Sequence, residues 1–146
     1  MPSLSIPSPV GQLTIEEADE RIAAIRWGNE GGNGSPLLAE AARQLAVYFA
    51  GDLTEFDLPL APHGSAFESR VWAAMQAIPY GETRSYGDLA TAVGSAPRAV
   101  GRACGSNPIP IVIPCHRVLA KGGFGGYSGE GGLATKRRLL ALEGAL

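Results

Sequence analysis

Apolar and polar residues alternate over residues 12–18 (QLTIEEA) and 21–27 (RIAAIRW), which predicts two short strands. Asp19 and Glu20 form the turn, and Ile22, Ile25 and Trp27 supply β-prone bulk. Residues 28–34 (GNEGGNG) read as a loop. Ser35 as N-cap and Pro36 as first residue then open a helix ending near Gly51. Leu37, Leu38, Ala41, Leu45, Tyr48 and Phe49 give it an apolar face at helical spacing. Residues 52–64 (DLTEFDLPLAPHG) alternate three times and hold two prolines, so an edge strand running into a linker is expected, with a boundary near His63.

The period then turns helical. Ser65 and Glu68 form a capping box ahead of Phe67, Val71, Trp72, Met75 and Ile78, and Pro79-Tyr80-Gly81 stops that helix. Ser85 and Asp88 form a second box, opening a short helix that runs to about Val93 and is closed by Gly94. Pro97 starts a third helix, through about Gly105. Two short helices around a glycine-containing turn predict a helix-turn-helix. The third, PRAVGRACGS, combines small side chains with Arg98 and Arg102. Gly101 and Gly105 each cost roughly 1 kcal/mol relative to alanine inside a helix. Such a helix lies close either to a neighbouring element or to a phosphate-bearing surface, and the arginines favour the second.

Composition adds constraints. The chain has 146 residues, 45% apolar and 18% charged, which is a globular composition without need of disulfide or metal staples. No apolar run reaches membrane length, and MPSLSIPSPV has neither a basic residue nor an apolar core, so neither a span nor a secretory leader is expected. Cys104 and Cys115 lack Cys-x-x-Cys spacing, which favours free thiols in a cytoplasmic protein. The net charge of −2 conceals an asymmetry: residues 1–64 carry three arginines against nine carboxylates, a net of −6. Residues 65–146 carry nine cations against five carboxylates, a net of +4, so the C-terminal half is the one suited to a polyanion.

The chemistry concentrates in residues 107–118 (NPIPIVIPCHRV). Residues 109–113 are β-prone, but Pro108, Pro110 and Pro114 remove ladder donors and exclude an ordinary central strand. The segment ends by presenting Cys115, followed by His116 and Arg117. A thiol reacts as thiolate, and nearby positive charge or imidazole raises that fraction. Adjacent residues on an extended chain diverge, so contact between Cys115 and His116 requires a turn or a bridging water. A buried structural cysteine is the bland alternative, and for Cys104, a small apolar residue on the third helix, it is the preferred one. The two cysteines, His63 and His116 lack metal-ligand spacing, so neither metal nor cofactor is expected.

Pro-Cys-His-Arg-Val, preceded by Asn-Pro-x-Pro and an aliphatic run, resembles the active-site signature of the O6-alkylguanine-DNA alkyltransferase family, the methylated-DNA–protein-cysteine methyltransferases. Ile78-Pro79-Tyr80-Gly81-Glu82-Thr83, Ser85-Tyr86-Gly87-Asp88-Leu89-Ala90, Arg98-Ala99-Val100-Gly101, Tyr127-Ser128-Gly129 and the Leu-Leu-Ala-Leu-Glu-Gly ending at Gly144 are also similar. The likeness is strong over residues 65–144 and looser before them. It implies an α+β fold, with a ribonuclease H-like sheet-and-helix domain over residues 1–62 and a winged helix-turn-helix domain over 63–146. It implies that Cys115 takes the alkyl group, that His116 accepts the thiol proton through a water, and that Glu143 orients the imidazole. Asn107 would be the hinge between the recognition helix and the active-site segment.

The same resemblance puts Ser85, Tyr86, Arg98, Ala99 and Arg102 on DNA, with Tyr86 pressing on a phosphate and Arg98 filling the stack vacated by a flipped guanine. Tyr86, Pro114, Val118, Tyr127 and Ser128 would form the substrate pocket, Ser128 at the guanine edge. The partner would be DNA containing O6-alkylguanine, bound by a monomer through the minor groove. Two other readings compete with single-turnover repair. A non-catalytic winged-helix damage-recognition protein shares the basic half and the helix-turn-helix but has no use for Cys115. A cysteine hydrolase lacks an evident oxyanion-hole motif.

Overall fold

The computed structural model describes residues 2–127, 129 and 131–146. Strand β2 (Leu13–Ala18) buries Leu13 and Ile15, and β3 (Arg21–Trp27) buries Ile22, Ala24 and Ile25. The turn between them holds Asp19 and Glu20 at φ 51° and 61°, the double left-handed conformation of a two-residue hairpin. A bulge at Glu16/Glu17 interrupts their register. The sequence pattern gave no strand before residue 12, yet Ser3–Ile6 forms β1, antiparallel to β2, in a sheet ordered β1-β2-β3. Four residues between Pro2 and Pro7 are too few for periodicity to register.

Helix α1 (Pro36–Phe49) lies against this sheet. Ser35 caps it by accepting from the Leu38 amide at 3.1 Å. Leu38, Ala41, Leu45 and Tyr48 face inward. The expected edge strand over residues 52–64 does not form. It is reduced to one parallel bridge, Ile22 to Leu60, with Ile22 N–H donating to Pro59 O and Ala61 N–H to Ile22 O, both at 2.8 Å. Pro59 and Pro62 have no N–H to continue it.

The C-terminal helices begin with α2 (Ala66–Gln76), whose Ser65/Glu68 capping box is complete. Helix α3 (Tyr86–Val93) has the same box from Ser85 and Asp88, and closes on Gly94 in the left-handed conformation. Helix α4 (Pro97–Gly105) follows without a side-chain cap. Trp72 Nε1 donates to Ala103 O at 2.8 Å, fixing α4 on α2. Two short parallel strands, β4 (Arg84–Ser85) and β5 (Val118–Leu119), bring the start of α3 beside the end of the 107–118 segment. Helix α5 (Leu133–Leu142) ends the chain; its Leu139 and Leu140 are buried.

One apolar core runs from the sheet through α1 and α2 to residues 109–118. Ile25 N–H donates to Pro108 O at 2.9 Å, so β3 also supports the active-site segment. The sheet-and-helix N-terminal domain and helical C-terminal domain expected from the sequence are therefore both present, and they share a core.

Candidate active site

Residues 107–117 do not form a strand. Ile113 N–H donates to Ile109 O at 2.9 Å and Cys115 N–H to Ile113 O at 2.8 Å, a compact pair of turns. Ile111 sits at φ 76°, a strained conformation for a β-branched residue. Asn107 holds these turns from their start. Its Nδ2 donates to Ile113 O at 2.8 Å, and its Oδ1 accepts from the Ile109 amide at 3.0 Å. Residues 115–117 then form one 3-10 turn (Cys115–Arg117). That turn separates neighbouring side chains: Cys115 faces a cavity, while His116 and Arg117 face Glu143 at the end of α5.

The cavity has a volume of about 480 Å³ and a largely apolar lining of Tyr86, Gly101, Cys104, Gly105, Cys115, Gly126 and Tyr127. Tyr86 and Tyr127 are thus brought to the cysteine, as expected. Pro114 and Val118 are not. Pro114 lines a separate cavity with Ile111, Val112 and Arg117. Val118 is fully buried in the core as β5 begins. Ser128, expected at the guanine edge, lies outside the described residues. Ser85 is occupied as the α3 cap; Arg98 and Arg102 are exposed on α4, with Ala99 half-buried between them.

Glu143 is buried and accepts from three residues. His116 Nε2 donates to its Oε2 at 2.7 Å, and Arg117 donates through Nε to Oε1 at 2.8 Å and through Nη2 to Oε2 at 3.0 Å. Tyr48, from α1, donates its hydroxyl to Oε2 at 2.5 Å. Burial pushes the Glu143 carboxyl up, but the hydrogen bonds from His116 and Arg117 outweigh it and hold the group at about 2. Burial lowers the His116 pKa against the opposing pull of Glu143, so the imidazole is neutral near neutrality. With Nε2 carrying the proton toward Glu143, Nδ1 is the free acceptor. It is buried and has no hydrogen-bond partner among the described residues.

Burial raises the Cys115 thiol, while a hydrogen bond from Asn107 and the charge of Lys136 pull it back. Lys136 was not singled out from the sequence. It is fully buried, donating to Val118 O at 2.6 Å, to Gly126 O at 2.9 Å and to Phe124 O. Its signal was present: Lys136 stands one turn before Leu139 and Leu140, on the buried face of α5, but a run of three basic residues reads as solvated surface. Lys136 thereby ties β5 to the 124–126 loop, whose Gly126 lines the cavity, and its ammonium lies 5.8 Å from the Tyr86 ring centre. Gly125, at φ 71°, lets that loop pass Tyr86, whose ring carbon would lie 2.8 Å from an added Cβ. Cys104, read as a small buried residue, is buried, with its thiol donating to Met75 Sδ at 3.4 Å, and also lines the cavity. Burial pushes it up to about 12. Among the described residues no cluster of His, Cys, Asp and Glu could hold a metal, and no helix is long and apolar enough to cross a membrane.

Comparison with known proteins matches this geometry to one family. Residues 66–145 match the DNA-binding domain of 6-O-methylguanine DNA methyltransferase, and residues 4–62 match its ribonuclease-like domain. A methylated-DNA–protein-cysteine methyltransferase from Mycolicibacterium paratuberculosis is 49% identical over 95% of this chain and 90% of its own length. The constitutive enzyme of Bacillus subtilis is 44% identical over 84% of each. A crystal structure of Mycobacterium tuberculosis OGT in complex with DNA superposes with a TM-score of 0.89 at 44% identity, covering 99% of this chain and 94% of that one. With both domains matched across nearly its whole length, the chain belongs to the O6-methylguanine DNA methyltransferase family, the methylated-DNA–protein-cysteine methyltransferases that repair DNA by direct reversal.

Proposed function

We propose that this chain removes the alkyl group of O6-alkylguanine in DNA by transferring it to Cys115, once per molecule. The observation that carries this reading is the position of Cys115: a buried thiol on an apolar cavity, next in the chain to a neutral histidine whose tautomer a carboxylate fixes. The Cys115 proton passes to His116 Nδ1 through a water. The sulfur attacks the alkyl carbon, the new S–C bond forms as the C–O6 bond breaks, and the electron pair leaves on guanine O6. Glu143 stabilises the imidazolium. Asn107 holds the turns that set the sulfur in place and moderates its pKa. A thioether is a poor leaving group, so Cys115 is consumed.

DNA approaches α4. A Cβ added at Gly101 or Gly105 would meet nothing within 4 Å, so internal packing does not demand these glycines. A minor groove pressed against that face does. Arg98 fills the vacated stack, Tyr86 and Ser85 meet the flanking backbone, and Ala99 and Arg102 complete the contact. Tyr86 and Tyr127 receive the extruded base, with Ser128 at its edge. We read residues 1–62 and 63–146 as the two domains. The protein is taken as a monomer, and the exposed route to a reactive thiol suits a reducing cytoplasm.

The test is methyl transfer from radiolabelled duplex. Cys115→Ala is expected to take up no label while binding DNA within about twofold of the parent, a free-energy change of under ~0.5 kcal/mol. Cys104→Ala should accept label normally. Label on Cys115→Ala would defeat the assignment.

A further inference from the structure

We infer that Tyr48, on helix α1 of the N-terminal domain, is a positioning residue for alkyl transfer, its hydroxyl fixing the Glu143 carboxylate that orients His116. The inference rests on the reading of Cys115 and His116 given above. Every described residue lining the reaction cavity comes from the C-terminal domain. Ile25 braces the active-site segment through Pro108 O and Trp27 packs edge-on against Tyr127, but Tyr48 reaches the carboxylate behind His116 itself.

The geometry leaves Glu143 little freedom. Its two oxygens accept four hydrogen bonds, three of them at Oε2: Tyr48 at 2.5 Å, His116 at 2.7 Å and Arg117 at 3.0 Å. Each carboxylate oxygen has two lone-pair sites, so three donors crowd Oε2 beyond its ordinary capacity. Glu143 is the C-cap of α5, where the helix offers weak backbone restraint, so its partners must supply the fixity. Tyr48 can do so because its own ring is confined. It is fully buried and packs against Phe49, Phe56 and Tyr80, with ring centres 5.2, 5.3 and 6.3 Å away. Burial and the adjacent carboxylate push its phenol above the ordinary value, so it remains a donor.

The charged and titratable groups around the pair are Tyr48 from α1, Tyr80 from the loop after α2, Cys115 and Arg117 from the 3-10 turn, and Lys136 from α5. Of these, Tyr48 alone brings a neutral donor to Glu143. Removing its hydroxyl leaves Oε2 more negative toward His116. The imidazolium gains stability in the resting protein, and His116 binds a proton at higher pH. A protonated His116 cannot accept the Cys115 proton, so the acid limb of the rate profile must rise.

The experiment uses the full chain and free O6-benzylguanine base, which removes DNA binding from the rate. Second-order rates are measured from about pH 5 to about pH 9 for the parent and Tyr48→Phe. Tyr48→Phe is expected to react at least about threefold more slowly near neutrality, with its acid limb about half a unit higher. A profile that superposes on the parent, or is lowered uniformly, would assign Tyr48 to packing alone. Site-specific 3-fluorotyrosine at position 48 keeps the shape and donates more strongly. It should move the limb to lower pH, and an upward shift or none would overturn the inference even if Tyr48→Phe fails to fold. A parent protein that never alkylates Cys115 would defeat the reading of the site, and this inference with it. A reactive parent whose profile both variants keep would defeat this inference alone.

Discussion

Acid dismantles the His116–Glu143 pair in a set order. Burial depresses the His116 pKa, so unfolding gains a proton there once pH falls below the ordinary 6.5, and stability begins to drop. Glu143, held at about 2 against an ordinary 4.5, adds a second loss as pH falls from 4.5 toward 2. Urea midpoints measured down a pH series should therefore fall in two stages, and Glu143→Gln should shrink the lower one, leaving the smaller share of the hydrogen-bonded surface carboxylates Glu40, Glu68 and Asp88. Lys136 makes a different demand. Lys136→Met would orphan the carbonyls of Val118, Phe124 and Gly126, at a cost of roughly 3 kcal/mol or more. The readout is the urea midpoint at unchanged slope, and a loss below about 1 kcal/mol would mean that water replaces the ammonium. Cys115, His116 and Glu143 could be read from the sequence because their motif is contiguous or closes the chain. Tyr48 and Lys136 could not, since their roles depend on a contact 95 residues away and on burial of a cation inside a basic run.

Among elements, those announced by local chemistry were legible. Ser35, the Ser65/Glu68 and Ser85/Asp88 boxes and Gly94 each mark a helix boundary by a hydrogen bond or a φ value, and the structure repeats each one. Strand β1 and the lone bridge at Leu60 depend on a partner strand, which no local pattern reports. Helix α4 carries the element-scale prediction. If charge alone mattered, Arg98→Lys would be nearly silent. As a planar stack filler, Arg98 is irreplaceable by an ammonium. Arg98→Lys should slow duplex repair by about tenfold or more, equivalent to ~1.4 kcal/mol, and have little effect on free O6-benzylguanine. Arg102→Lys should show neither effect. Gly105→Ala, with open space around its Cβ, should not destabilise the fold yet should also slow duplex more than free base. Equal losses on both substrates would move either residue from DNA contact to support of the cavity.

At the scale of the molecule, the shared core and the Tyr48–Glu143 and Ile25–Pro108 hydrogen bonds make the two domains one chemical unit. The acidic N-terminal half stays off the polyanion while bracing the site that acts on it. On the proposed reading the basic half meets DNA through α4, and the cysteine cavity is lined by Gly101 and Gly105 of that helix and by Tyr86. Cys104, the other thiol on the cavity, is held protonated and facing Met75, and offers no relay for the alkyl group. On the proposed mechanism, alkylation of Cys115 therefore ends the protein's working life. The most direct test is intact-mass analysis with peptide mapping after incubation with excess O6-methylguanine duplex. A gain of one methyl group per molecule is expected, on Cys115, with no repair beyond that equivalence. Continued repair with Cys115 unmodified, or a methyl group carried by Cys104, would contradict it.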